Sequence, residues 1–204
     1  GADGNGGVFM TTVNNDPTTC VKVQDKLFGN FVFGPAFTDP FSNVIFTLST
    51  VNGKEHHQVA FNTPYLPGSV YTINYEIEVI ATSPLVIVQL DADFTQTAGT
   101  ASRLVKNSLP LGNPAAGIDQ LKSSVLSTGN TTIAYSPGVR SLAISETLTV
   151  NGTVSSVNNT VVQSGVVPTL TTTASAGGPI GTVLTDQATL SGGFNPTGSI
   201  IFRL

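Results

Sequence analysis

The segment VYTINYEIEVI, residues 70–80, alternates apolar and polar side chains from Tyr71 to Val79 and decides the fold class. One face carries Tyr71, Ile73, Tyr75, Ile77 and Val79, and the other carries Thr72, Asn74, Glu76 and Glu78. A period of two places successive side chains on opposite faces of a strand, and a helix cannot accommodate it. The run 85–94 repeats the pattern, with Val86, Val88, Leu90, Ala92 and Phe94 predicted to face inward. The sequence therefore predicts strands that bury one face.

Composition restricts the chain to folds built from short strands and turns. Only 10% of the 204 residues are charged, against about 25% in an average globular protein. A polar surface of Thr, Ser, Asn and Gln suits strands and gives exposed helices few charge pairs. The 21 glycines and 12 prolines interrupt the chain every few residues. We therefore predict an all-β fold, an antiparallel β-sandwich of the Ig-like or jelly-roll-like type with a C-terminal β-hairpin segment.

Two Asn-Gly pairs predict tight hairpin turns. Asn52-Gly53 lies between the strand-like runs 43–51 and 58–61, and Asn151-Gly152 lies between 142–150 and 153–162. Asn-Gly between two such runs is the strongest short-range signal for a β-hairpin. Further strands are predicted at 121–126 and 131–135, separated by a turn at 127–130, and a short helix over 118–124 is the less favoured alternative.

The distribution of glycine, serine, threonine and proline divides the chain into four parts. The prediction is an extended N-terminal segment at 1–18, a β-sandwich at 19–163, a linker at 164–184, and an Ig-like fragment or exchanged β-hairpin at 185–204. A hairpin of two strands is not stable alone in water. The last part must therefore pack on the sandwich, on another copy, or on a further segment.

Charge and cysteine content exclude several classes of partner. The net charge is −4 and the eight basic residues are scattered, so no basic stripe is present to follow a nucleic-acid backbone. No apolar run approaches the ~20 residues that cross a bilayer. Cys20 is the single cysteine, so it cannot form an internal disulfide, and its role stays open. We expect a secreted protein at the cell surface or in the extracellular matrix.

Four carboxylates form the one candidate cation site. Asp91 and Asp93 share a face of one predicted strand, and Glu76 and Glu78 share a face of the strand before it. If the two strands pair, the four side chains could bind calcium or act as an acid pair, although a charged solvent-facing surface is the simpler interpretation.

Other catalytic and metal-binding motifs are missing from the sequence. The adjacent residues His56 and His57 would point to opposite faces of a strand and are expected in an exposed turn. No Gly-x-Ser-x-Gly or phosphate-binding loop is present. We therefore predict no enzyme activity, and no cofactor unless calcium binds.

Two parts of the sequence resemble known families. DKLFGNFVF at 25–33, the 71–79 strand, and the pattern from Pro84-Leu85 to TAGTA at 97–101 resemble exported bacterial surface proteins of the PEP-CTERM-associated type. This resemblance covers about 20–163 and implies a β-sandwich ectodomain; members commonly have a second cysteine near Asn107-Ser108, where this chain has none. ATLSGGFNPTGSIIF at 188–202 resembles the start of Ig-like repeats in large bacterial surface proteins.

Three functional classes follow from these features. The favoured one is an extracellular structural subunit of a bacterial surface or matrix assembly that self-associates into a filament by strand exchange or edge pairing. The strand-exchange candidates are Ala188, Leu190, Phe194, Ile200 and Phe202. The alternative is a cell-surface adhesin or glycan-binding module assisted by calcium. A glycoside hydrolase acting through Asp91 and Asp93 is the least favoured, because the carboxylates would lie side by side on a solvent-facing surface.

Overall fold

Fifteen strands account for the regular structure in the computed structural model of the protein, which describes residues 8–9, 14, 16, 18–37, 39–109, 117–165, 168–193 and 198–202. They are β1 (Val8–Phe9), β2 (Cys20–Val23), β3 (Lys26–Gly34), β4 (Asn43–Val51), β5 (Lys54–Tyr65), β6 (Val70–Val79), β7 (Leu85–Gly99), β8 (Ser102–Leu109), β9 (Ile118–Lys122), β10 (Ser127–Asn130), β11 (Thr132–Val139), β12 (Ser141–Thr149), β13 (Gly152–Gly165), β14 (Thr169–Ala174) and β15 (Asp186–Ser191). Within these ranges no helix is long and apolar enough to span a membrane.

The strands up to β13 form the two layers of an antiparallel β-sandwich, which confirms the predicted fold class. One sheet has six strands in the order β1-β4-β5-β13-β7-β11, and the other has seven in the order β10-β9-β8-β12-β6-β3-β2. The predicted inward face of β6 is buried, with Ile73, Tyr75 and Ile77 each 1% exposed. Aromatic rings from both sheets meet in the core, where the ring centres of Phe61 in β5 and Tyr75 in β6 are 5.3 Å apart.

The first Asn-Gly pair closes a hairpin as predicted. Val51 of β4 pairs with Lys54 of β5, which leaves Asn52 and Gly53 as a two-residue loop. Both loop residues have positive φ angles, 51° and 74°. This conformation is the type I′ turn that matches the right-handed twist of two paired strands.

The second Asn-Gly pair does not close a hairpin, and that prediction was wrong. β12 belongs to the seven-stranded sheet and β13 to the six-stranded sheet, so Asn151-Gly152 carries the chain from one layer to the other. The Asn151 amide N–H donates to Ser102 Oγ at 2.9 Å, and its side-chain amide donates to the Ala101 carbonyl at 2.9 Å. Tertiary hydrogen bonds therefore outweigh the local turn preference at this position.

The inward face predicted for β7 is only partly correct. Leu90, Ala92 and Phe94 are buried as predicted, but Val86 and Val88 are half-buried, and Ile87 between them is 0% exposed. The pairing of β7 with β11 is irregular beside this point, between Ala134 and Val139. Strict alternation fails because an irregularity in a ladder changes which side chains face the core.

The segment from Ile118 to Val139 also differs from the prediction. β9 ends at Lys122, and the predicted turn at 127–130 is strand β10, which pairs with β9. The turn lies instead at 123–126, where the Ser123 N–H donates to the Leu126 carbonyl at 2.8 Å. The helix alternative is wrong because 118–122 is a strand, and the predicted strand at 121–126 overlaps β9 only at residues 121–122.

The chain divides into two compact units, Gly1–Ser164 and Gly165–Leu204. In the second unit β14 pairs with β15, and Leu170 lies opposite Leu190. β14 falls inside the predicted 164–184 linker, and residues 198–202 form no strand, so the hairpin spans 169–191 instead of 185–204. Phe194 lies outside the described residues.

Candidate functional site

Three buried polar side chains lie in the middle of the apolar core and form what we call the central cluster: Lys106, Glu146 and Asn159. Lys106 of β8 and Glu146 of β12 are direct cross-strand partners in the seven-stranded sheet. Asn159 comes from β13 in the six-stranded sheet that faces it. Their exposed fractions are 0%, 1% and 0%. The sandwich therefore positions all three on its rigid inner faces.

One carboxylate oxygen connects the members of the central cluster. Glu146 Oε1 accepts hydrogen bonds from Lys106 Nζ at 3.0 Å and from Asn159 Nδ2 at 2.7 Å. Lys106 Nζ also donates to Asn159 Oδ1 and lies 5.9 Å from the centre of the Tyr75 ring. A buried charge is tolerated only when it is paired and hydrogen-bonded, and these contacts supply the partners.

The surroundings alter the protonation of the central cluster. Burial lowers the pKa of Lys106, while the neighbouring Glu146 carboxylate opposes that shift. Burial, and after it the Glu146 charge, raises the pKa of the Tyr75 hydroxyl well above its usual value. A hydrogen-bond interaction between the Tyr75 hydroxyl and the Glu146 side chain acts in the same direction. An amine of lowered basicity is thus held against a side-chain amide and a carboxylate.

A second group, which we call the end cluster, consists of Asp25, Lys26, Glu55, His57 and Gln163. Lys26 Nζ donates to Asp25 Oδ1 at 2.8 Å and to Gln163 Oε1, while Gln163 Nε2 donates to Asp25 Oδ2 at 3.3 Å. His57 Nε2 lies 3.4 Å from Glu55 Oε2. Lys26 is 0% exposed, whereas the Asp25 and Glu55 side chains are 16% and 36% exposed. The end cluster is therefore closer to solvent than the central cluster.

The geometry of the end cluster raises the question of a metal ion. Ligand atoms of Asp25, Glu55 and His57 all lie within 4.8 Å of one another, the only such group among the described residues. The Lys26 ammonium already forms an ion pair with the Asp25 carboxylate at 2.8 Å, so a metal ion bound by Asp25 would compete with it. Burial, and then the positive charge of Lys26, lowers the pKa of His57. Within the protein, the end cluster is held by the contacts of Lys26 with Asp25 and Gln163 and of His57 with Glu55.

The four carboxylates of the predicted calcium site do not come together. Glu76 and Glu78 are exposed on β6 in the seven-stranded sheet, whereas Asp91 and Asp93 lie on β7 in the six-stranded sheet. In each strand the opposite side chains fill the core, so the two pairs lie on opposite outer faces of the sandwich. The assumption that β6 and β7 pair was wrong, because the chain changes sheets between them.

Asp91 and Asp93 instead line a polar groove of about 540 Å³, together with Gln58, Gln89, Gln120 and Asn158 among others. Asp91 Oδ1 accepts hydrogen bonds from Gln89 Nε2 and Thr132 Oγ1, both at 2.8 Å. Asp93 forms an ion pair with Lys122 at 2.7 Å. Both carboxylates are thus engaged by donors of the protein itself.

Comparison with known proteins leaves the resemblances found in the sequence as predictions. No protein-family model matches this chain, and no curated protein matches it. The site must therefore be interpreted from its own geometry.

The side chains proposed for strand exchange have different environments. Ala188 is half-buried in β15, while Leu190 is 46% exposed. Ile200 and Phe202 are also exposed and lie outside any strand. Cys20 is a free, exposed cysteine in β2.

Sequence reasoning missed both buried clusters. The signal was present, because Glu146 follows Leu142 and Ile144 and precedes Leu148 on the inward-facing positions of β12. Lys106 likewise follows Leu104 with the spacing of one strand face. A charge at an inward position of an alternating strand predicts a buried ion that needs a partner. The prediction of an exposed turn for His56 and His57 was wrong, since both lie on β5, where His56 is half-buried and His57 is 1% exposed.

Proposed function

We propose that the protein is an extracellular structural subunit of a bacterial surface or matrix assembly, and that it associates with copies of itself through strand exchange or edge pairing. The observation that carries this proposal is the side-chain bonding between β13, the last strand of the sandwich, and the opposite sheet. Asn159 and Gln163 of β13 bond to Lys106 and Lys26 of the opposite sheet. A structural subunit must hold its layers together under tension, and such bonds between sheets oppose their separation.

The position of β13 gives these bonds a mechanical role. β13 is the strand that leads out of the first unit towards the second. Tension arriving from the second unit would pull on β13 first. The central cluster connects β13 to β8 and β12, and the end cluster connects it to β3. Load on this strand is thereby shared between both sheets.

The hairpin of β14 and β15 supplies a surface for association. Each strand has one partner, so each has one unpaired edge among the residues that the structure describes. Leu170 and Leu190 lie side by side and are 49% and 46% exposed. A free strand edge beside uncovered apolar side chains is a template for pairing with another chain.

A charge on the apolar face of the hairpin tests its role in association. We expect Leu190→Lys to lower the fraction of assembled protein in sedimentation velocity, because a desolvated lysine opposes burial of this face. Thr189→Lys is the matched control: Thr189 pairs with Thr171 on the other face of the same hairpin and should keep the wild-type distribution. Equal assembly of Leu190→Lys and wild type would reject the hairpin as the contact.

The polar groove favours glycan binding as a second candidate function. Its lining of Gln, Asn, Asp, Ser and Thr side chains offers the donors and acceptors that sugar hydroxyls require. A glycan array probed with and without a chelator tests this function. Binding that Gln58→Ala weakens would support the groove, and absence of binding in both conditions would reject it. Loss of binding on chelation would assign a role to calcium.

A further inference from the structure

The central cluster contains a nucleophile, an electrophile and a proton carrier in direct contact. Lys106 Nζ touches the amide oxygen of Asn159, so the amine lies next to the amide carbon Cγ. Glu146 Oε1 bridges Lys106 Nζ and the Asn159 nitrogen, at 3.0 Å and 2.7 Å. The same carboxylate oxygen thus contacts the atom that would attack and the atom that would leave.

We propose that Lys106 and Asn159 form an intramolecular amide bond that crosslinks the two sheets, with Glu146 transferring the protons. This inference does not depend on whether the chain assembles. It assigns a covalent modification to two side chains, Lys106 and Asn159, and a proton-transfer role to a third, Glu146.

The environment favours this reaction over a permanent ion pair. Burial lowers the pKa of Lys106, which favours the neutral amine that acts as a nucleophile. All three side chains are buried, so hydrolysis and proton loss to solvent are suppressed. The cross-strand pairing of Lys106 with Glu146 holds the groups in place without any need for substrate binding.

The reaction needs no oxidant and no further reactant. Glu146 first takes a proton from the Lys106 ammonium, and the resulting amine attacks Asn159 Cγ to form the new N–C bond. A second proton passes from Nζ through Glu146 to Nδ2 as the Cγ–Nδ2 bond breaks. Ammonia leaves as the neutral molecule, and Glu146 keeps the remaining proton, so that no unpaired charge stays in the core. The product is a neutral secondary amide.

The end cluster offers an internal comparison for the test. There Lys26 also touches a side-chain amide, that of Gln163, and Asp25 contacts both groups. The Asp25 side chain is 16% exposed, whereas Glu146 is 1% exposed. The drier position of the central cluster is the reason that we assign the reaction to Lys106.

Mass spectrometry of the folded full chain tests the proposal. We expect an intact mass below the sequence mass by one ammonia, and a protease map in which the peptides containing Lys106 and Asn159 remain joined. Trypsin should fail to cleave after Lys106, because the acylated lysine has lost its charge. A mass equal to that of the sequence would overturn the proposal. Ammonia loss mapped to Asn52-Gly53, to Asn151-Gly152, or only to Lys26 and Gln163 would overturn it as well.

Matched carboxylate variants test the role of Glu146. Glu146→Gln keeps the side-chain shape but cannot accept the proton, so its intact mass should equal its sequence mass. Asp25→Asn makes the same change in the end cluster and should retain the loss of one ammonia. Circular dichroism establishes that each variant folds, and if Glu146→Gln does not fold, the wild-type mass and peptide map still decide. A crosslink in folded Glu146→Gln would contradict the role of Glu146.

Discussion

Charged side chains are rare in this chain, yet several of the most buried side chains are ionisable. Lys26, Lys106 and Glu146 are each no more than 1% exposed. Before the proposed crosslink forms, removal of one partner from a buried pair such as Lys106 and Glu146 costs about 3–5 kcal/mol, because the other charge is left without compensation. By contrast, the pair of Arg103 and Asp119 is more than half exposed on both sides. The electrostatic features that matter for stability are therefore inside the sandwich.

The neutral state of His57 predicts a pH dependence of stability. Burial and Lys26 lower its pKa below the ordinary value of 6.5, while Glu55 and Asp25 oppose that shift. The unfolded chain therefore binds a proton at a pH where the folded chain does not. The stability that neutral His57 contributes is fully present above pH 6.5. It is lost as the pH falls towards the pKa that His57 has in the folded protein.

Denaturant unfolding between about pH 7 and about pH 5 measures this effect. We expect the free energy of unfolding to fall over this range in wild type, and to fall less steeply in His57→Gln. His56→Gln is the matched control, since it changes the opposite face of β5 and leaves the surroundings of His57 in place. Identical slopes for wild type and His57→Gln would contradict the buried neutral histidine.

Local sequence patterns predicted the individual strands well. They failed where the chain passes from one sheet to the other. The alternation in 71–79 gave β6 and its buried face correctly, because a period of two depends only on the pleat. Asn52-Gly53 was predicted correctly because its turn depends only on local backbone geometry. Asn151-Gly152 has the same local signal, but its hydrogen bonds to Ala101 and Ser102 come from a distant strand end. No local rule contains that information.

Gly152 provides a test of this crossover at the level of the element. A Cβ atom added there would lie 2.3 Å from the Ala98 carbonyl oxygen and 2.3 Å from Gln96 Nε2. We expect Gly152→Ala to lower the free energy of unfolding by about 1–3 kcal/mol, as other overpacking changes do. Chemical denaturation measures this loss.

Gly165→Ala is the matched control, because an added Cβ at the end of β13 meets nothing within 4 Å. It should leave the stability close to that of wild type. A Gly152→Ala variant as stable as Gly165→Ala would show that the close approach to β7 is absent.

At the scale of the molecule, fold class was predictable and the distribution of strands between sheets was not. Composition and alternation indicate a sandwich, but they do not determine that β6 and β7 belong to different sheets. The candidate calcium site failed for that reason, since Glu76 and Asp91 lie on opposite outer faces. The central cluster was missed because Lys106, Glu146 and Asn159 meet only after both sheets are complete.

The same arrangement of strands explains how one chain could serve as a structural subunit. Bonds from β13 hold the two sheets together, while β14 and β15 each have one edge without a partner strand among the residues that the structure describes. A contact between different surfaces of identical copies need not close into a ring, so its natural product is an open chain of subunits.

Electron microscopy of the purified 204-residue chain tests the assembly most directly. Our account predicts extended filaments or linear chains of subunits whose length increases with protein concentration. Dispersed single particles at every concentration would contradict it.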